Sequence, residues 1–135
     1  MVMQPGLLDT STLILLARVD PGELPDIPSI SAITLAELSV GPLVATSAEE
    51  RAARQAHLQL AEADFDPIPF DSAAARAFAH VAQSLREAGR KPSARAFDAL
   101  IAATAISRDL PLHTCNPGDF QGIPGLEVRP VRVAG

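Results

Sequence analysis

Tryptophan and tyrosine are absent from the 135 residues, and cysteine and lysine occur once each, as Cys115 and Lys91. A single cysteine excludes an internal disulfide framework and any cysteine-based zinc site. Only five phenylalanines remain as base-stacking platforms, which argues against a sequence-independent binder of single strands. Cations are scarce: 11 Lys+Arg face 16 Asp+Glu, a net charge of −5. That excludes a broadly basic nucleic-acid wrapper and leaves room for a local patch. Long apolar runs are also missing. Leu13 to Ala17 and Ala99 to Ala103 are among the longest, far short of the roughly 20 residues of a transmembrane helix. The N-terminal stretch lacks a basic segment and is broken by Asp9, so no secretory signal is expected and the cytoplasm is the expected location.

What is present suits a packed globule: 47% hydrophobic and 20% charged residues, in a length that predicts one domain over residues 1–135. Short apolar runs alternate with alanine-rich helical stretches. This predicts an α/β fold, a parallel sheet flanked by helices. The expected strands are Gly6–Leu8 with Pro5 near its start, Ser29–Ile33, a weak edge strand at Asp66–Phe70, Leu110–Thr114, and Leu126–Val133 at an edge because of Pro130. The expected helices are Thr10–Arg18, one opening at Thr34–Glu37 and ending at Gly41-Pro42, one capped by Ser47 and running to about Ala63, Ser72–Ala88 stopped by Gly89, and one capped by Ser93 and reaching about Arg108. In the last of these, Phe97, Leu100, Ile101, Thr104 and Ala105 follow a helical stripe, and Phe97, Leu100 and Ile101 are expected to be buried.

Four acids fall at informative places. Asp9 follows the first strand, Glu37 sits on the first turn of the helix after the second, Asp98 lies on the second turn of the helix before Leu110–Thr114, and Asp119 is just past that strand. The carboxyl edge of an open parallel sheet is where such folds bind ligands. Four carboxylates gathered there repel each other, by about 1 kcal/mol per pair at 4 Å in water and several times more at lower dielectric. Such a cluster needs protonation or a cation. A hard divalent ion suits all-oxygen donors and suits phosphodiester hydrolysis. Singly, each acid has an ordinary reading: Asp9 as a helix cap, Glu37 with Thr34 as a capping box, Asp98 as a solvated helix acid, Asp119 closing a turn.

Leu7-Leu8-Asp9-Thr10-Ser11, Ile33-Thr34-Leu35-Ala36-Glu37-Leu38 with Gly41 after it, Phe97-Asp98-Ala99-Leu100-Ile101-Ala102-Ala103-Thr104-Ala105, and Thr114-Cys115-Asn116-Pro117-Gly118-Asp119-Phe120 together resemble the four acidic segments of PIN-domain ribonucleases, specifically VapC-type toxins of bacterial toxin–antitoxin pairs. Their order and spacing match across nearly the whole chain. The resemblance implies an α/β/α sandwich with a short central parallel sheet and a Mg²⁺- or Mn²⁺-dependent endoribonuclease. It implies that Asp9, Glu37, Asp98 and Asp119 form the metal site, with Asp9 and Asp98 foremost as ligands. Thr10, Ser11, Thr114 and Asn116 would orient those acids or the substrate. An RNA substrate such as a tRNA or rRNA loop, a homodimer, and a small VapB-like antitoxin in a heterotetramer or larger assembly are also implied. One departure stands out: Pro5-Gly6 replaces a continuous apolar strand, so the first strand is expected to be shortened or bulged.

Arg86, Arg90, Lys91 and Arg95 place four of the 11 cations within ten residues. This is either a phosphate-tracking patch for RNA or a solvated helix end. His57, His80 and His113 have no metal-ligand spacing and read as structural or surface residues. Cys115 reads as a small buried residue. Three other classes compete. An aspartate-dependent phosphatase usually carries a second aspartate two residues after the first, where this chain has Ser11. A phosphoacceptor domain usually has a lysine after a late strand, whereas Lys91 falls between helices. A non-catalytic α/β interaction module would keep the acids as caps and surface groups.

Overall fold

The computed structural model describes residues 2–91 and 95–134. At its centre are four short strands, β1 (Pro5–Leu8), β2 (Ile27–Ser29), β3 (Leu112–Thr114) and β4 (Val128–Pro130). They lie in the order β2-β1-β3-β4, and every pairing is parallel. Among the described residues, five α-helices surround them: α1 (Thr10–Ile14), α2 (Ala32–Val40), α3 (Ala48–Asp64), α4 (Ser72–Glu87) and α5 (Ala96–Ser107).

Successive side chains on a strand point to opposite faces, and Leu7 and Leu8 divide the molecule accordingly. Leu7 packs with Val81 and Leu85 of α4, Ala102 and Ala105 of α5, and Leu112 of β3. Leu8 packs with Leu13 of α1, Leu38 of α2 and Ala61 of α3. Both leucines are fully buried, and each such burial contributes roughly 1.5–3 kcal/mol. The result is the expected α/β/α sandwich.

Several boundaries differ from expectation. The second strand ends at Ser29 because Ser31 takes up extended backbone and caps α2, its hydroxyl accepting the Thr34 N–H at 3.1 Å. Thr34 is therefore inside the helix and is not its cap, and Glu37 lies on the second turn of α2. The Asp66–Phe70 stretch contributes one parallel bridge, Ile68 to Ser31, since Pro67 and Pro69 on either side have no N–H to extend a ladder. The first helix stops at Ile14 and continues as a 3₁₀ turn at Leu16–Arg18. Gly89, at φ +76°, follows α4 as expected. Ser93, expected to cap α5, lies outside the described residues. The described helix begins at Ala96, which puts Asp98 in its first turn.

Proline and glycine do not disrupt the first strand. Pro5 is the first residue of β1, where a missing donor is tolerated, and the strand pairs with β2 and β3 without a bulge. Gly6 is required for space: a Cβ there would lie 2.5 Å from His113 Nε2 and 2.9 Å from Pro25 Cβ.

His113 is 3% exposed, and its Nε2 is a buried polar atom with no hydrogen-bond partner among the described residues. Its Nδ1 lies 3.2 Å from the Glu23 carbonyl, which only accepts, so Nδ1 carries the proton of a neutral ring. Burial pushes the imidazole below its ordinary 6.5, against the opposing pull of the Glu23 carbonyl. Protonation would bury a second N–H against Gly6 and Pro25 with no acceptor. The unfolded chain takes up that proton more readily, so His113 contributes stability that is present above about pH 6.5 and lost as pH falls below it. Urea titrations of wild type and His113→Gln across that window should show the stability of wild type relative to the variant declining with acid. Parallel profiles would contradict this role.

Candidate metal centre

Asp9 is the fixed point of the site. It leaves the carboxyl end of β1, caps α1, and is 4% exposed. Its Oδ1 accepts the Thr12 N–H at 3.1 Å and the Thr12 hydroxyl at 2.5 Å. Its Oδ2 accepts the Thr114 hydroxyl at 2.6 Å, from the end of β3, and the Ser11 hydroxyl at 3.3 Å. The two bonds from the Thr12 and Thr114 hydroxyls are short, and with the Thr12 N–H they hold the carboxylate in one orientation. The Ser11 bond is the longest of the four. Asn116 Nδ2 in turn donates to the Ser11 hydroxyl at 2.9 Å.

Glu37 reaches the site from α2. Thr10 donates to its Oε1 at 2.7 Å, and the Thr10 and Thr34 hydroxyls are 3.0 Å apart. Burial raises the Glu37 carboxyl above the usual range, opposed by the Thr10 hydrogen bond and reinforced by the charge of Asp9.

Asp98 reaches the site because α5 begins at the carboxyl edge of the sheet and runs back before β3. It is the most perturbed of the four acids. Burial, and then the charges of Asp119, Asp9 and Glu37, push it up to about 6, with Arg95 opposing. Asp119, in the 3₁₀ turn Pro117–Phe120 after β3, is ion-paired with Arg95.

All four acids, with Thr10, Ser11, Ile14 and Asn116, line one hollow of about 230 Å³. Thr114 lies behind it as the support of Asp9. The four acids, Thr10, Ser11 and Asn116 thus share one hollow, with Thr114 beside them. The basic residues divide. Arg90, Lys91 and Arg95 line a neighbouring hollow with Leu85, whereas Arg86 stands exposed on the last turn of α4, outside that lining. His57 and Arg54 line a third hollow that shares Thr10, Ile14 and Glu37 with the acidic one.

Two contributors were not read from the sequence. Thr12 binds Asp9 and also accepts the Cys115 N–H at 3.0 Å, tying the loop after β3 to the first acid. Its spacing, three residues after a capping aspartate, was the available signal. Thr34, read as a cap, contacts Thr10 instead. Phe97, read as core, is 54% exposed, because the first turn of α5 emerges at the sheet edge.

Among the described residues, no three of His, Cys, Asp and Glu converge into a closed metal cage. A small hard cation does not require one. Magnesium is usually held by one or two carboxylates and keeps several of its waters. The donor set fits such an ion: every candidate ligand is a carboxylate oxygen, and Asp98 is short of positive charge.

Carboxylates from four separate segments meet at the carboxyl edge of a parallel sheet, and these oxygen donors could hold a hard cation. Residues 7–125 match the PIN domain family, and the chain belongs to that family. It is 40% identical over 123 residues to Ribonuclease VapC5 of Mycobacterium tuberculosis, which covers 89% of this chain and 88% of that protein. It is 40% identical over 103 residues to Ribonuclease VapC8 of the same species, covering 74% and 89%. A crystal structure of VapBC-5 from M. tuberculosis, a member of the VapBC family of toxin–antitoxin systems, superposes with a TM-score of 0.81. The identity there is 38%, over 93% of this chain and 98% of that one.

Proposed function

We propose that this protein is a VapC-type toxin: a Mg²⁺- or Mn²⁺-dependent endoribonuclease acting in the cytoplasm and neutralised by a VapB-like antitoxin. One observation carries the reading. Four acids from distant segments share one hollow, and the Asp98 carboxyl there is pushed up to about 6 by burial and its three acidic neighbours. The ribonuclease relatives and the toxin–antitoxin structure support it.

Asp9 and Asp98 would hold the ion, with Glu37 and Asp119 at its flanks. Bound there, a divalent ion lowers the pKa of water and screens charge building on the phosphate. Thr12 and Thr114 keep Asp9 from turning away. Thr10 orients Glu37, whose raised carboxyl is suited to receive a proton from the attacking water. Asn116 and Ser11 stand at the mouth of the hollow, where they can orient the sugar–phosphate chain. Asp9 itself is a poor nucleophile, because both its oxygens are already engaged by hydrogen-bond donors. This disfavours the phosphatase alternative. Purified protein incubated with total cellular RNA should give discrete fragments with Mg²⁺ or Mn²⁺ and none with EDTA. Fragments that persist in EDTA would contradict metal dependence.

A further inference from the structure

The acidic hollow and the cationic hollow meet at one side chain. Arg95 lines the second hollow with Arg90 and Lys91, yet its guanidinium is ion-paired with Asp119, and its Nη1 lies 3.9 Å from Asp98 Oδ2. Arg95 thus stands between the two acids nearest the start of α5 and a hollow of about 330 Å³ walled by the other two cations. The pair is half open to water, at 47% and 36% side-chain exposure. Ion pairs so exposed contribute little, so this one can exchange partners at small cost. One guanidinium also leaves the four-acid cluster with three uncompensated charges. A divalent ion neutralises more of that charge and competes for the same oxygens.

Building on the metal-site reading above, we propose that Arg95 is an exchangeable counter-cation. It pairs with Asp119 and Asp98 when the site holds no metal. When metal enters, it releases those acids and turns toward the Arg90–Lys91 hollow to bind an RNA phosphate. Metal loading and RNA binding are then coupled through one positioning side chain. Arg90, by contrast, donates to the Gln121 carbonyl at 3.3 Å and touches none of the acids, so it has a phosphate role only.

The test is calorimetric titration of metal-free protein with Mn²⁺, followed by filter binding of a short phosphorothioate RNA with and without saturating Mn²⁺. Arg95→Gln should bind Mn²⁺ about three- to tenfold more tightly than wild type, since a competing charge has gone. Arg95→Lys should return toward the wild-type value. With Mn²⁺ bound, Arg95→Gln should hold the RNA less tightly, with a salt slope shallower by about one. Without metal, its RNA affinity should match wild type. Arg90→Gln should weaken RNA binding and leave Mn²⁺ affinity unchanged. Equal or weaker Mn²⁺ binding by Arg95→Gln would overturn the exchange, as would an RNA loss that is the same with and without metal. A wild-type protein that takes up no Mn²⁺ would overturn the metal-site reading itself, and the exchange with it.

Discussion

Asp98→Asn should abolish RNA cleavage while leaving a folded, more heat-stable protein. The expected loss is roughly a thousandfold, the scale seen when one preorganised polar group is removed from a reacting centre. The amide keeps the shape of the side chain and its place on the first turn of α5, but it lacks the charge that a hard cation needs. The gain in stability follows from the same electrostatics. The Asp98 carboxyl is pushed up to about 6 in the fold, above its ordinary 3.8. Its favourable contribution is therefore complete below the unfolded value and lost as pH rises through about 6. At neutral pH the metal-free protein carries an Asp98 charge that burial and three acidic neighbours oppose. Removing it should raise Tm above pH 6 and have little effect near pH 4. Thermal melts of the metal-free wild type and variant at both ends of that range test the sign. A variant that melts lower than wild type at neutral pH would show Asp98 to be an ordinary structural acid.

Gly6→Ala should destabilise the protein by about 2 kcal/mol, the middle of the range for overpacking a tight core. The new methyl would meet His113 Nε2 at 2.5 Å, His113 Cδ2 at 2.6 Å and Pro25 Cβ at 2.9 Å. None of these can retreat easily. His113 is held by the Glu23 carbonyl and by its place on β3, in the middle of the sheet. Alanine is better suited than glycine to a strand interior, so at an open position the substitution would be neutral or favourable. In the double variant Gly6→Ala, His113→Ala the conflict with the ring is gone and only the Pro25 contact remains, so the cost of the glycine change should fall in that background. Denaturant midpoints for the four members of this cycle give the coupling directly. A coupling near zero would mean that the glycine serves some other purpose.

The acids were legible because each sits beside a local signal: Asp9 at the end of an apolar run, Glu37 and Asp98 inside helical patterns, Asp119 in a proline–glycine turn. The parallel sheet followed from the alternation of strands and helices. Less was legible where two residues compete for one local role. Ser31 and Thr34 are both of a residue type that caps helices, and the choice of Ser31 rests on Ile30 being fully buried and on the backbone bonds between the Ile30–Ala32 segment and Ile68, contacts distant in sequence. The Pro5-Gly6 pair read as a defect because its reason, the His113 ring, comes from a strand more than a hundred residues later. The stripe on α5 misassigned Phe97 because periodicity places a residue on a helix face without saying where that face leaves the protein. The pairing of Arg95 with Asp119 is a contact across 24 residues that no local pattern announces.

We propose that the acid cluster at the carboxyl edge of the sheet binds a divalent cation. The most direct measurement is Mn²⁺ binding to metal-free protein near neutral pH, wild type beside Asp98→Asn. The site described above predicts saturable binding by the wild type that Asp98→Asn loses, with both proteins folded. Saturable binding of equal strength in both, or none in the wild type, would contradict it.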